Sequence, residues 1–383
     1  MTQPFHLMLK PTGASCNLAC EYCYYLDKSA LYPGSGMRMD IKALERVTAA
    51  YLGAHPGPEV AFGWQGGEPL LMGMEFFERA LEFQAKYIRP GCRVQNAVQT
   101  NGILIDDDWA AFFAEHNFLV GISIDGPANL HDQYRRSRGG NPSHERVLTG
   151  LRCLQRHEVE HNALVTVNRA NSRHPLRVYR YLTGIGLEFL QFIPIVERKS
   201  PESGDVTEWS ALPEGYGRFL CEVFDYWARN DVGRVFIQIF ESALNVRMGM
   251  PPSLCVFAPT CGRALVAEHN GDLYACDHFV YPTHLRGNIA TPESLTAMVD
   301  GHEQREFGLA KADLSSECVE CPVLPLCGGD CPKHRLSKAA DGKSISHLCA
   351  AYRRFFTHSS PVFQAMAEEI RAGRPAANVM KKI

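Results

Sequence analysis

The sequence lacks any long hydrophobic run: none of its apolar stretches reaches the roughly 18 residues that a membrane-spanning helix needs. The first ten residues, MTQPFHLMLK, also lack the basic and apolar segments of a secretory signal. These absences predict a cytoplasmic protein with no membrane contact. Because the cytoplasm is reducing, they also argue against a fold that is held together by disulfides.

An excess of charge of one sign is missing as well, since 39 Lys and Arg residues face 42 Asp and Glu residues in a chain of 383. A nucleic-acid-binding protein usually carries a clear basic surplus, so we expect no nucleic-acid partner. The sequence shows no obvious coiled-coil repeat or exposed apolar stripe, and we therefore expect a monomer. With 45% apolar and 21% charged residues, the composition is that of a globular protein.

Cysteine, by contrast, is abundant, with 14 residues. These residues are dense near the start and in the last third of the chain, and sparse in between. Clustered cysteines in a cytoplasmic protein indicate metal binding rather than disulfides. Three cysteines fall outside the clusters, and we interpret Cys92, Cys153 and Cys221 as ordinary packing residues.

Short apolar runs alternate with amphipathic helical segments from residue 5 to about residue 235. Such alternation predicts parallel strands joined by crossover helices. Six units are too few for a closed eight-stranded barrel, so the predicted fold is α/β, a partial (β/α)6 TIM-like barrel or an open sheet, with ligands at the C-terminal ends of the strands. The candidate strands are residues 5–10, 59–64, 94–100, 118–124, 163–167 and 190–195.

The character of the sequence changes in its last third. We expect the barrel domain over residues 1–235 and a small cysteine-rich domain over residues 236–349, whose core depends on bound metal. A C-terminal helix and tail are expected over residues 350–383, with the last ten residues frayed.

The first cysteine cluster, CNLACEYCYY at residues 16–25, follows the first candidate strand. Cys16, Cys20 and Cys23 have the spacing C-x3-C-x2-C. Thiolates select zinc or iron–sulfur clusters, and three thiolates would leave one iron of a four-iron cluster without a protein ligand. A zinc site that a distant residue completes is the alternative.

This motif, with an aromatic residue before its last cysteine, resembles the signature of the radical S-adenosylmethionine superfamily. The resemblance implies that Cys16, Cys20 and Cys23 hold a [4Fe–4S] cluster whose open iron chelates the amino and carboxylate groups of S-adenosylmethionine. It also implies that Tyr22 lies near the adenine.

A second motif, WQGGEP at residues 64–69, ends the second candidate strand. Paired glycines let the main chain approach a ligand closely, although an ordinary turn explains them equally well when they are taken alone. The motif resembles the GGE sequence with which the superfamily binds the methionine amino group. The implied cofactor-binding residues are Gln65, Gly66, Gly67 and Glu68.

Further cofactor contacts are predicted at the ends of later strands. Ser123 lies in ISIDGP at the end of the fourth strand, and Arg135 is a candidate partner for the cofactor carboxylate, although a solvated arginine is the alternative. Ile195, in QFIPI, could contact adenine or could simply belong to a core strand.

Among the later cysteines, Cys318, Cys321, Cys327 and Cys331 have the spacing C-x2-C-x5-C-x3-C, and Cys349 follows them. This pattern resembles the SPASM domain, which carries two additional clusters in radical enzymes that modify peptides. Two zinc sites with four cysteines each are the alternative. The resemblance implies two further [4Fe–4S] clusters, one held by Cys255, Cys261, Cys276 and Cys331 and the other by Cys318, Cys321, Cys327 and Cys349.

Taken together, the motifs between about residue 5 and residue 355 resemble the anaerobic sulfatase-maturating enzymes. The resemblance implies oxidation of a cysteine or serine in a Cys/Ser-x-Pro-x-Arg motif of a sulfatase to Cα-formylglycine, with S-adenosylmethionine, three [4Fe–4S] clusters and a flavodoxin- or ferredoxin-type reductant. It implies that a radical takes hydrogen from the substrate Cβ, that Asp277 removes a proton, and that an electron passes to the additional clusters. The alternative for Asp277 is that it only stabilises a turn beside Cys276. Tyr25 and Gln99 match positions at the substrate pocket, although each is also explained as an ordinary polar residue at the end of a strand.

Two other functions remain open from the sequence. A different SPASM enzyme would form thioether or carbon–carbon crosslinks in a ribosomal peptide. A zinc-stabilised binding protein or a simple iron–sulfur electron carrier would not be an enzyme, but a simple carrier does not need an open cluster corner or the GGEP sequence.

Overall fold

The computed structural model of the protein describes residues 3–34, 36–200, 204–291 and 293–383. The strands are β1 (His6–Lys10), β2 (Glu59–Trp64), β3 (Arg93–Thr100), β4 (Leu119–Ser123), β5 (His161–Val167), β6 (Phe189–Pro194), β7 (Phe236–Ile237), β8 (Ala264–Glu268), β9 (Asp272–Tyr274), β10 (Leu285–Asn288), β11 (Ser337–Lys338) and β12 (Ser344–Ile345). Each of the six predicted strands is confirmed within two residues at either end.

Helices follow most of these strands, as the alternation in the sequence predicts. They are α1 (Ile41–Ala54), α2 (Met74–Tyr87), α3 (Asp107–Glu115), α4 (Ala128–His131), α5 (His144–Arg156), α6 (Pro175–Gly184), α7 (Pro213–Asn230), α8 (Gln238–Arg247), α9 (Leu295–Val299), α10 (His302–Leu309), α11 (Ser316–Val319), α12 (Leu324–Cys327) and α13 (Cys349–Arg371). None of the described helices is both long and apolar enough to cross a membrane.

The chain forms two compact units, each built from several segments of the sequence. The first contains residues 1–123, 135–161 and 261–310, and the second contains residues 124–134, 162–260 and 311–383. The domain limits that we expect at residues 235 and 349 stay predictions.

In the first unit, β1 to β4 form a parallel sheet in chain order. Their inward residues are apolar, and Leu7, Phe62 and Val120 are each almost completely buried. The other edge of β1 pairs in parallel with β8, which begins an antiparallel run of β8, β9 and β10. The β8 pairing aligns Lys10 with Glu268, so it brings residues from the cysteine-rich part of the sequence to the end of the first strand.

The second unit contains the parallel strands β5, β6 and β7 and a helical layer in which α7 packs against α13. Helix α7 starts with proline at its first turn, where a missing N–H has no effect, and it buries apolar residues at helical spacing. Phe224 of this helix contacts Phe355 and Phe363 of α13, with ring centroids 5.9 and 4.9 Å away. Aromatic packing therefore holds the C-terminal helix in the unit.

The prediction that the last ten residues are frayed is wrong. Residues Ala376–Lys381 form a 3-10 helix, and the side chain of Val379 is completely buried. The carboxylate of Glu369, in α13, accepts hydrogen bonds from Arg374 at 2.7 Å, Asn378 at 3.0 Å and Lys382 at 2.6 Å. The composition of the tail does not reveal that one carboxylate on the preceding helix accepts hydrogen bonds from three residues of the tail.

We predict that Glu369→Ala lowers the midpoint of thermal unfolding at pH 7, whereas Glu368→Ala, on the exposed neighbouring side chain, leaves it nearly unchanged. The hydrogen bonds from Arg374, Lys382 and Asn378 hold the pKa of Glu369 well below its usual range. A lowered carboxyl pKa adds stability above the unfolded-state pKa of about 4.3 and loses it as the pH falls further. The difference between the two variants should therefore shrink in acid, and a difference that does not depend on pH would contradict this explanation.

Candidate active site

The three-cysteine loop follows β1 directly. No disulfide links any of the 14 cysteines, all of which lie in described residues. Burial raises the pKa of Cys16 to about 11 and also raises the pKa of Cys23. A buried thiolate needs a positive partner, and a bound iron supplies one because metal coordination deprotonates a thiol. The chemistry of this loop therefore fits an iron–sulfur cluster.

The paired glycines at the end of β2 bring two loops into backbone contact. The Gly67 N–H donates to the Gly13 carbonyl at 2.7 Å, and the Glu68 N–H donates to the Ser15 carbonyl at 2.9 Å. A β carbon built on Gly67 would lie 1.9 Å from the Ser15 oxygen, which only glycine avoids. Gly66 adopts φ +135°, a conformation that also favours glycine. The close approach that the motif predicts is thus observed, but toward the residues just before Cys16.

Glu68 is completely buried and acts as a connector. Its carboxylate accepts hydrogen bonds from Leu70 N at 3.0 Å, Thr100 Oγ1 at 2.8 Å and Asn101 N at 2.8 Å. Burial raises the pKa of Glu68 to about 7, even though these donors favour the charged form. Asn101 in turn places its amide nitrogen 3.6 Å from Cys16 Sγ. Glu68 therefore links the end of β3 to the cysteine loop, and its predicted contact with a cofactor amine stays a prediction.

Two pairs of predicted site residues touch each other. The Arg135 guanidinium carbon lies 5.4 Å from the centre of the Tyr22 ring, and its charge favours the thiolate form of Cys23. Gln99 Nε2 donates to Ser123 Oγ at 3.1 Å across neighbouring strands. The structure thus puts the predicted carboxylate-binding arginine beside the cysteine loop, and a predicted substrate residue beside a predicted cofactor residue.

The remaining predicted cofactor contacts use their backbones in the sheets. The Gln65 N–H donates to the Leu9 carbonyl at 2.9 Å, which extends the pairing of β1 and β2. Ile195 lies in the second unit, where its N–H donates to Val167 O at 3.0 Å and its carbonyl accepts from Ala211 N at 2.8 Å. Contacts of these two side chains with a cofactor stay predictions.

Asp277 follows β9 and is held by two groups that we did not predict. Lys10, buried at the end of β1, forms an ion pair with its carboxylate, and Tyr24 Oη donates to Asp277 Oδ2 at 2.5 Å. Burial alone would raise the pKa of Asp277, but the charges of Lys10 and His278 and the two hydrogen bonds hold it at about 2. The ion pair and the hydrogen bonds therefore favour the ionised carboxylate, which can accept a proton.

Tyr25 is also buried, and its hydroxyl donates to Glu268 of β8. Lys10 Nζ lies 4.2 Å from the centre of the Tyr25 ring, a cation–π distance. Burial and the Glu268 charge raise the pKa of Tyr25 far above its usual value, so Tyr25 is neutral. The predicted substrate contact of Tyr25 stays a prediction, while its contact with Glu268 is observed. Lys10 was not predicted as a site residue, and its signal in the sequence is a lysine at the end of an apolar strand.

Four of the later cysteines line one cavity of about 300 Å³ in the second unit. These cysteines are the set predicted for one of the two additional clusters: Cys318, Cys321, Cys327 and Cys349.

The other four later cysteines occur as two pairs, one in each unit. In the first unit, buried Gln304 donates to Gly262 O at 2.9 Å and Ala275 O at 3.0 Å, residues next to Cys261 and Cys276. A single amide therefore ties these two cysteine loops together.

The second pair, Cys255 and Cys331, lies on two loops of the second unit that are in backbone contact. Gly328, at φ +56°, is so close to the first loop that a β carbon would lie 2.2 Å from Phe257 O. The isolated cysteines behave differently: Cys153 and Cys221 are buried in helices, which confirms their packing role, and Cys92 is half-buried.

A parallel α/β sheet with a three-cysteine loop after its first strand and a glycine–carboxylate turn after its second defines a radical S-adenosylmethionine enzyme. The family model described as "Radical SAM superfamily" matches residues 11–182. The class implies S-adenosylmethionine and a [4Fe–4S] cluster as cofactors, and the cysteine loop described above fits such a cluster.

The relatives narrow the class. The chain is 42% identical over 397 residues to the serine-type anaerobic sulfatase-maturating enzyme of Bacteroides thetaiotaomicron, covering 100% of this chain and 95% of that protein. It is 32% identical over 372 residues to the cysteine-type enzyme of Clostridium perfringens, covering 96% and 100%. The chain therefore belongs to the anaerobic sulfatase-maturating enzymes.

Solved structures support the same family assignment. The structure of anSMEcpe with bound AdoMet and Kp18Cys peptide matches with a TM-score of 0.88 at 32% identity, covering 96% of this chain and 100% of that one. This match confirms the predicted fold class, a partial barrel followed by a SPASM domain. Streptococcus suis SuiB bound to its precursor peptide matches at 14% identity with a TM-score of 0.64, over 91% of this chain and 76% of that one, which shows similarity of fold alone.

We predict that Gly67→Ala destabilises the protein by about 1–3 kcal/mol, because the added methyl group must push the Ser15 carbonyl away. The displaced backbone leads to Cys16, so the iron content after anaerobic purification should fall as well. Gly53→Ala is the control, since a β carbon there, on α1, meets no atom within 4 Å. Thermal unfolding and iron analysis give the two measurements, and a Gly67→Ala protein with full iron content would contradict the expected link between this turn and iron binding.

Proposed function

We propose that this protein oxidises one serine or cysteine of a sulfatase, within a Cys/Ser-x-Pro-x-Arg motif, to Cα-formylglycine. The observation that carries the proposal is Asp277, an ionised and largely buried carboxylate beside the predicted metal ligand Cys276. The names of the relatives, which include serine-type and cysteine-type enzymes, support the substrate class. The peptide in the structure of anSMEcpe supports a polypeptide substrate.

Cys16, Cys20 and Cys23 would hold the first cluster, while Arg135, Ser123 and the GGE turn would hold the cofactor. When bound, these groups supply a 5′-deoxyadenosyl radical that takes a hydrogen atom from the substrate Cβ. The desolvation of the half-buried Cys16 and Cys23, and the charge of Arg135 near Cys23, support this placement.

Asp277 would then take the proton of the substrate hydroxyl or thiol on its carboxylate. Lys10 and Tyr24 orient the carboxylate and keep it ionised before the substrate arrives. Removal of a hydrogen atom, a proton and one electron completes a two-electron oxidation. With serine the product is the aldehyde, and with cysteine it is a thioaldehyde, which water converts to the aldehyde with release of sulfide.

The departing electron needs an acceptor, and the eight later cysteines would provide it by holding two more [4Fe–4S] clusters. The cavity that Cys318, Cys321, Cys327 and Cys349 line supports this proposal. The sets are Cys255, Cys261, Cys276 and Cys331 for one cluster, and Cys318, Cys321, Cys327 and Cys349 for the other. We further propose a flavodoxin or ferredoxin as reductant and a monomeric enzyme.

The function is tested by anaerobic incubation of the reconstituted protein with S-adenosylmethionine, dithionite and a sulfatase-motif peptide in serine and cysteine versions. We expect at least one version to lose the mass that formylglycine formation requires. Scrambled peptides with the same composition serve as controls. If both versions keep their mass while the cofactor is cleaved, a different peptide-modifying reaction replaces this proposal.

We predict that Asp277→Asn loses formylglycine formation by about 10²–10⁴-fold, the usual contribution of a general base. Cofactor cleavage and iron content should survive, because the amide keeps the size of the side chain. Asp313→Asn is the matched control, since that side chain is 71% exposed in the second unit and pairs with Lys343. Formylglycine formation at the original rate in Asp277→Asn would remove this residue from the mechanism.

A further inference from the structure

Lys311 is a buried cation that the proposed reaction does not use. It lies on the 3-10 helix Ala310–Ala312, and its side chain is completely buried. Its ammonium group donates to Cys255 O at 2.7 Å and to Val256 O at 2.9 Å. Burying an ammonium group is unfavourable unless strong acceptors or negative charge compensate it. Lys311 therefore places a positive charge against the loop that carries a predicted cluster ligand.

Arg335 is a second buried cation in the same region. Its Nε donates to Gly329 O at 3.0 Å, and its Nη2 donates to Lys311 O at 2.8 Å. Gly329 lies between Cys327 and Cys331 in the sequence. The two cations thus join the loop of Cys255 to the loop of Cys331, the same loops that Gly328 brings into backbone contact.

Asp330 is a negative side chain in the same region. It is completely buried, and its Oδ2 accepts hydrogen bonds from Ser346 at 2.7 Å and shares one with His334 at 3.1 Å. Lys311 and Arg335 thus place two positive charges against the two loops. A four-iron cluster with four thiolates is negative and gains another negative charge on reduction, and nearby charge is one of the factors that set its potential.

We propose that Lys311 is a positioning residue that holds the Cys255 loop and, through its charge, raises the reduction potential of the four-iron cluster that Cys255 ligates. This inference rests on the proposed function. In the balanced step, the substrate gives a hydrogen atom to the radical, a proton to Asp277 and one electron to this oxidised cluster, which becomes reduced by one electron. A higher potential makes the cluster a better acceptor for that electron.

The test is a potentiometric titration of the full chain followed by electron paramagnetic resonance. Cys16, Cys20 and Cys23 are all replaced by Ala in every sample, so that only the two later clusters respond. In Lys311→Met we expect the midpoint potential of one cluster to become more negative. The equilibrium constant for its one-electron reduction should fall at least tenfold, which corresponds to about 59 mV. Lys311→Arg should stay close to the starting protein, since it keeps the charge.

Lys338→Met is the control, because that lysine is exposed on β11 of the same unit. A loaded Lys311→Met protein with an unmoved potential would overturn the inference and leave the proposed function intact. If the variant loses iron, Lys311→Gln replaces it, since the amide can still donate to the two carbonyls. Iron loss in Met, Gln and Arg variants alike would show a structural role and would also overturn the inference. Iron loss only in the uncharged variants would support it.

The starting protein separates the two proposals. Reconstitution should give about eight irons when the first three cysteines are absent, because two four-iron clusters remain. Fewer irons would remove the proposed cluster set, and with it the role of Lys311. A full complement of iron with no response to Lys311→Met would remove the role of Lys311 alone.

Discussion

The parallel pairing of β8 with β1 is the contact on which the candidate active site depends. Its register places Glu268 opposite Lys10, and the turn after β9 then brings Asp277 to the same lysine. Without this pairing, the residues after Cys276 would not be held next to the strand that leads into the first cysteine loop. A strand from the last third of the chain thus joins a predicted base to the sheet that carries the first cysteine loop.

Compensation of buried charge is the theme that recurs in both units. In the first unit, Lys10 faces Asp277 and the ring of Tyr25, while Arg135 lies near Cys23. In the second unit, Lys311 and Arg335 donate to the loops that carry Cys255 and Cys331. Isolated buried charges are strongly unfavourable. Lys10 is compensated by the ionised Asp277, and the other cations lie near cysteines that would become anionic when a cluster binds.

The sequence predicts the local features of this protein far better than its long-range contacts. Apolar alternation located all six strands within two residues, because each strand is encoded in its own few side chains. The pairing of β8 with β1 joins residues more than 250 positions apart, and no local pattern specifies that register. Lys10 and Glu268 were missed for the same reason. The contact of the Glu68 carboxylate with Asn101, at the end of β3, could not be predicted either, because the GGE motif does not include β3.

The low pKa of Asp277 bears on how the proposed oxidation is driven. A general base works best with a pKa near the working pH, and a carboxylate with a pKa of about 2 is a weak base for an alcohol or thiol. Once a hydrogen atom has left the neighbouring carbon, however, the hydroxyl or thiol proton becomes more acidic, because its departure is coupled to loss of the electron. The ion pair with Lys10 would then keep the carboxylate ready, and the proposed electron acceptor would supply the driving force. The oxidation therefore needs a proton acceptor and an electron acceptor together. Lys10 would keep Asp277 ready for the proton, and the charges around the later cysteines would favour transfer of the electron.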